Sequence, residues 1–218
     1  MEIRDLIQGV FRETTHFPVL FGPIFVTSFL NGILASDAAI ASMGPGGSLV
    51  LRLLILVLLT PLSAGITVML DRRINSQVEP NLLDSFADVR AKYFPLIIIN
   101  FVALVATVLG LFLFIVPGVY LYVKFVFTTQ EVLVGDETDL TSALEKSWNH
   151  TTNRWGTIFG IILIFEVPLL FFSFSLAGLP PGWGATLSVV VGTAFQTWLT
   201  LVVTHLYLQI LQKEEQNY

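Results

Sequence analysis

Long apolar blocks alternating with short polar segments set the pattern of this chain. The blocks cover roughly residues 17–36, 49–70, 94–115, 118–134, 156–177 and 186–211. A hydrocarbon core about 30 Å thick takes about 20 apolar residues in a helix, and these blocks reach or approach that length. The pattern predicts an all-α, polytopic membrane protein with about six transmembrane helices. The polar segments carry a second, helical period. In "EIRDLIQGVFRETTHF", "NLLDSFADVRAKYF" and "DLTSALEKSWNHTTNRW" the sets Ile3-Leu6-Ile7-Val10, Leu82-Phe86-Val89 and Leu140-Leu144-Trp148 each fall on one face of a helix. Each segment is expected to form a short amphipathic helix at the membrane interface.

The two patterns recur together. Pro45-Gly46, Pro117-Gly118 and Pro181-Gly182 fall where the spans must reverse, and proline stops a helix while glycine supplies the backbone angles of a tight turn. Leu6, Leu83 and Leu144 each stand eleven residues before an aromatic residue: Phe17, Phe94 and Trp155. The repeating unit is thus an amphipathic lead-in, a span, a Pro-Gly turn and a span. Three such units, roughly 1–70, 80–134 and 138–211, make up a single integral membrane domain over 1–218.

Composition agrees with a bilayer environment. Only 12% of the 218 residues are charged and 54% are hydrophobic, against about 25% charged in an average soluble domain. The net charge of −5 and the absence of a basic cluster exclude a nucleic-acid partner and leave the lipid bilayer as the expected one. The basic residues fall in alternate connections. Arg4 and Arg12 precede the first span, Arg72, Arg73, Arg90 and Lys92 follow the second, Lys146 and Arg154 follow the fourth, and Lys213 follows the last. Short loops rich in Lys and Arg stay in the cytoplasm, so both termini are expected there, in a multi-pass protein of the inner (cytoplasmic) membrane. The N-terminal stretch is acidic where a secretory signal is basic, so the first span is expected to be retained. With no cysteine, thiol chemistry is excluded.

Candidate chemistry is sparse. His16, His150 and His205 are far apart, and none has a second His or Cys at metal-ligand spacing. No nucleophile elbow and no phosphate loop occurs, so neither a catalytic residue, a cofactor nor a metal is expected. Gly156 and Gly160 form a GxxxG that suits helix packing. The polar residues inside spans are more informative: Asn100, Lys124, Glu131, Glu166, Gln196 and His205. A charge at mid-membrane costs roughly 2.5–3.5 kcal/mol on insertion scales. Glu166 lies about 15 Å into its span and Lys124 about 10 Å from the outer turn, so the two are expected to pair. Snorkelling of Lys124 and protonation of Glu166 are the structural alternatives. Glu131 and His205 fall toward the cytoplasmic ends and could also pair. Ser188, Gly192, Gln196, Thr200 and Thr204 share one face of the last span, suited to helix packing or to a permeation path.

The stretch "IVPGVYLYVKFVFTTQEVLVGDETDLTSALEKSWNHTTNRWGTIFG", residues 115–160, carries a further signal. Its Val116-Pro117-Gly118, Lys124, the acidic linker Gly135 to Asp139, Ala143-Leu144, Ser147-Trp148 and Arg154-Trp155 resemble the membrane domain of glycerophosphoryl diester phosphodiesterases. They also resemble a related, uncharacterised family of six-helix bacterial inner-membrane proteins. The resemblance implies a membrane domain without catalysis, since in those enzymes the chemistry belongs to a separate soluble barrel. The expectation is therefore a non-enzymatic scaffold or accessory in lipid or envelope homeostasis. A small-solute or lipid transporter using Lys124 and Glu166 is the alternative.

Overall fold

The structure is a computed structural model and describes residue 8 and residues 64–75, 82–176 and 183–216. Among the described residues the regular structure is helical throughout. Residues 64–75 form α1. The helices that follow are α2 (Leu82–Ala91), α3 (Tyr93–Leu113), α4 (Ile115–Lys124), α5 (Thr128–Leu133), α6 (Leu140–Thr152), α7 (Trp155–Leu176) and α8 (Trp183–Glu215). Windows in three of them, Tyr93–Leu113, Trp155–Phe172 and Ala194–Glu214, are long and apolar enough to cross a membrane.

The expected spans 94–115, 156–177 and 186–211 fall on α3, α7 and α8. The span expected at 118–134 is instead two short helices separated at residues 125–127. The ten residues of α4 rise only about 15 Å, half a hydrocarbon core. The expected first span, the first lead-in, the turns at Pro45-Gly46 and Pro181-Gly182, and most of the second span lie outside the described residues. The second and third lead-ins are the helices α2 and α6. In α6 the fully buried residues are Ala143, Ser147 and Thr151, with Leu140, Leu144 and Trp148 half-buried beside them. The inward face thus centres on small and hydroxylated residues rather than on the apolar triplet.

α3 and α4 form a tight hairpin, and α7 packs along α8. The turn between α3 and α4 is not made by Pro117-Gly118. The chain reverses at Phe114, an extended residue with φ −160° and ψ 148°, and helix resumes at Ile115. Pro117 then sits in the first turn of α4, where the missing N–H has no helical partner to lose. Gly118 serves contact rather than the turn. A side chain there would overlap Leu111, backbone nitrogen included, and one at Gly110 would meet the Gly118 Cα at 2.9 Å. By contrast, nothing lies within 4 Å of a side chain placed at Gly156, so no described helix uses that GxxxG position for close approach.

The apolar core gathers at one end of the bundle. Val68, Val89, Leu96, Ile99, Val132 and Ala143 join α1, α2, α3, α5 and α6. Met69, Val123, Phe127, Ile158, Val202 and Tyr207 join α1 and the α4–α5 region to the adjoining parts of α7 and α8. The α3–α4 turn is the opposite. Leu113, Phe114, Ile115 and Val116 are all exposed there, and Phe112 is 88% exposed. An apolar patch of this kind is a liability in water, but against lipid it is simply solvated.

The glycine contact gives a direct test. Gly118→Ala is expected to lower stability in detergent by about 1–3 kcal/mol, because the overlap falls on backbone that cannot swing aside. Gly156→Ala is expected to be neutral or slightly stabilising. Unfolding midpoints of the two variants measure the difference, and equal effects would rule out a close α3–α4 crossing.

Candidate functional site

The polar residues of the interior meet where α4 breaks into α5. No glycine or proline causes the break. Phe125, Val126 and Phe127 form a turn, with Val126 N–H donating to Val123 O (3.4 Å) and Thr128 N–H to Phe125 O (3.2 Å). The Lys124 carbonyl consequently loses the helical donor it would have had at residue 128. Ser147 Oγ on α6 donates to it at 2.8 Å, and Thr151 Oγ1 approaches at 3.5 Å. Thr128 and Thr129 at the start of α5 donate to Asn100 Oδ1 on α3, at 3.4 and 3.1 Å. The break is thus held by hydroxyls of α6 and by the Asn100 amide oxygen of α3.

Lys124 is 1% exposed. Its Nζ donates to Thr152 Oγ1 at 2.6 Å and to Trp148 O at 3.3 Å. It also lies 4.6 Å from the centre of the Trp148 ring and 5.5 Å from that of Tyr120. Oxygen acceptors at the end of α6 and two aromatic faces replace water around the ammonium. Glu166 lies elsewhere. Its Oε1 accepts from Gln196 Nε2 on α8 at 3.1 Å. The expected Lys124–Glu166 pair is therefore not formed, because the break makes Lys124 the last residue of α4 and aims it at α6.

Glu131, also 1% exposed, is the second buried charge. His150 Nδ1 on α6 is 2.6 Å from its Oε1, and Tyr207 O–H on α8 donates to its Oε2 at 3.0 Å. The other face of the imidazole reaches outward, with His150 Nε2 3.2 Å from Glu214 Oε2. The hydrogen bond to Glu131 holds the His150 pKa above the ordinary histidine value, against desolvation and with help from the charges of Glu131 and Glu214. Gly135 completes this corner. A side chain there would press on Glu131 O (2.8 Å) and Tyr207 Oη (2.9 Å). Beside it Gln130 Nε2 donates to Thr204 Oγ1 at 3.2 Å, and Thr204 Oγ1 is 3.5 Å from Thr67 Oγ1 on α1.

Lys92, between α2 and α3, donates to the Leu133 carbonyl at the end of α5 (2.9 Å) and pairs with Asp136 (2.8 Å). That ion pair and hydrogen bond hold Asp136 below the usual carboxylate range. Lys146 and Glu137 pair at 2.7 Å, and Asp139 caps α6 by accepting from Ser142 N–H at 2.9 Å.

Of the residues singled out in the sequence, Lys124 and Glu131 share this elbow, 7 positions apart, though they take different partners. Glu131 pairs with His150 and Tyr207 rather than with His205, whose Nε2 is 3.0 Å from Gln209 Nε2. Gln196 and Glu166 form a separate contact on α7 and α8. The last-span stripe is divided, with Thr204 buried, Gln196 exposed and Thr200 donating to the Gln196 carbonyl of its own helix at 2.9 Å. Thr204 meets α1 and α5, Gln196 meets Glu166, and Gly192 faces Leu169. The Ser188 side chain is outside the described set. The role of His150 is not legible in the sequence, because its partners stand 19 residues before and 64 after it. Among the described residues no group of three or more His, Cys, Asp or Glu side chains is placed to hold a metal ion. Comparison with family models, curated proteins and solved structures finds no match to the chain.

A pair of double-mutant cycles tests the new partner of Lys124. Lys124→Met with Thr152→Val is expected to show a coupling of about 1.5–3 kcal/mol, the range of a hydrogen bond to a charged group. Lys124→Met with Glu166→Gln is expected to be additive within about 0.5 kcal/mol. Chemical unfolding in micelles gives both values, and coupling only in the second cycle would restore the original pairing.

Proposed function

We propose that the chain is a non-enzymatic multi-pass membrane protein acting as a scaffold or accessory in lipid or envelope homeostasis. The observation that carries this reading is how the buried charge is used. Lys124 and Glu131 are each engaged by the protein's own groups, which join α4, α5, α6 and α8. Charges committed to holding helices together are poorly suited to handing a substrate along. The likeness of residues 115–160 to a phosphodiesterase membrane domain, whose catalysis lies in another domain, points the same way.

The arrangement we favour is six membrane segments in three hairpins, the fourth of them broken between α4 and α5, in the cytoplasmic membrane with both termini inside. It rests on the alternation of basic connections. Single cysteines test it cleanly because the chain has none. Cysteines replacing Ser76 and Thr138 are expected to be shielded from an impermeant external reagent in intact cells, while those replacing Ser42 and Gly182 label. The reverse pattern would overturn the orientation.

One observation favours transport as the second reading. The Gln196–Glu166 hydrogen bond lies within the expected spans, on partly exposed side chains rather than in the core. Gentle purification of the full chain with mass spectrometry of co-purifying proteins, together with flux assays in proteoliposomes, separates the two. The scaffold reading expects a stoichiometric protein partner and no solute flux above empty vesicles. Flux that Glu166→Gln abolishes without loss of stability would replace it with transport.

A further inference from the structure

A second polar feature lies apart from the elbow. Where α7 begins and α8 nears its end, a cavity of about 170 Å³ is lined by Arg154, Thr157, Leu206, Gln209, Ile210 and Lys213. The four α8 residues follow i, i+3, i+4, i+7 spacing and so share one face. Tyr207 and Glu214, which serve the Glu131–His150 cluster, lie about 100° further round the helix. The two features use different faces of α8.

The lining has a definite chemical sense. It contains two of the chain's 11 Lys and Arg residues and no carboxylate, in a protein of net charge −5. Arg154 makes one long hydrogen bond, from Nη1 to His150 O at 3.4 Å, which engages only one of the five N–H donors of a guanidinium. Gln209 uses its Nε2 toward His205, while its buried Oε1 has no partner. Thr157 supplies a hydroxyl in the first turn of α7. The first intrahelical bond there is from Ile158 N–H to Arg154 O, so the N–H groups of the preceding turn and the helix dipole add positive potential. Leu206 and Ile210 give the cavity an apolar wall. Its volume is roughly that of five waters, which suits a compact group rather than a nucleotide.

We propose that this cavity binds a phosphate group, held by Arg154 and Lys213 as charged donors, with Thr157 as a neutral one. The phosphate is that of an anionic lipid headgroup or free inorganic phosphate. The proposal goes beyond the scaffold reading and does not depend on it, since a phosphate site is compatible with either a scaffold or a transporter.

The test uses the full chain in uncharged detergent micelles. Three probes are titrated: phosphatidylglycerol, diacylglycerol with the same acyl chains, and sodium phosphate against sodium chloride at matched ionic strength. Thermal unfolding midpoints and native mass spectrometry report binding to the wild type, Lys213→Gln and Arg154→Gln/Lys213→Gln. The wild type is expected to show a saturable rise in midpoint with phosphatidylglycerol and none with diacylglycerol. The half-saturating concentration is expected to rise roughly threefold in the single variant and at least about tenfold in the double, as charge-assisted bonds are lost. A parallel rise with inorganic phosphate supports the site and names free phosphate as a source, whereas a response to lipid alone names the headgroup. Lys213 is exposed, so the single variant keeps its fold and decides the matter even if the double variant does not. No saturable response to either phosphate source, or equal responses in wild type and Lys213→Gln, overturns the proposal.

Discussion

The carbonyl of Lys124 is the group on which the elbow depends. Once the chain leaves the helix after α4, that oxygen has no helical donor, and leaving it buried and unpaired would cost about 1–3 kcal/mol. Ser147 on α6 supplies the donor. The same turn of α6 accepts the Lys124 ammonium through Thr152 Oγ1 and Trp148 O. A single short helix thus satisfies both the backbone and the side chain of one residue. Without α6 the break between α4 and α5 has no compensation. Without the break α5 would continue along α4, and Gln130, Glu131, Val132 and Leu133 would not turn into the core.

That turn inward explains where the other charges fall. α5 is short and central, and each of its ends is tied. Asn100 accepts from the threonines at its start, and Lys92 donates to the Leu133 carbonyl at its finish. Glu131 is carried with it into a site too deep for water, where His150 and Tyr207 supply the hydrogen bonds that a buried carboxylate requires. Polar groups therefore concentrate at the end of the bundle that contains α2, α6 and the basic residues. The α3–α4 turn, held by the close approach of Gly110 and Gly118, needs no polar group and exposes only apolar side chains. One end suits an aqueous interface and the other suits hydrocarbon.

The spans α3, α7 and α8 were legible because a long apolar run has few alternatives, and α2 and α6 were legible because their periodicity is helical. The break at Phe125 to Phe127 was not. Its residues are aromatic and β-branched, with no glycine or proline, and the cause lies in the Asn100 amide oxygen on α3 and the Ser147 hydroxyl on α6, which no local window contains. Missing it misplaced Lys124, since a continuous helix over 118–134 puts that residue at a depth matching Glu166, whereas a helix ending at Lys124 presents it to α6. Pro117-Gly118 misled in the same way. Both residues matter at the hairpin, but proline fits a first helical turn and glycine fits a close crossing, so the reversal itself falls three residues earlier at Phe114. His150 was invisible as a site residue because a lone histidine carries no signal until its carboxylate partners are brought to it.

Several residues of the 115–160 stretch build the elbow. Gly118 seats α4 on α3, Lys124 meets Ser147 and Trp148, and Ala143 and Ser147 line the buried face of α6. Gly135 leaves room for Glu131 and Tyr207, and Asp139 starts α6. Every one of these roles is met by backbone, packing or an internal hydrogen bond, and none requires a ligand. Such residues build an architecture, a broken helix clasped by an amphipathic one. Arg154, in the same stretch, is placed differently. Its guanidinium makes a single long hydrogen bond within the protein and borders a cavity instead, so any ligand chemistry in this region is better sought there than at the elbow.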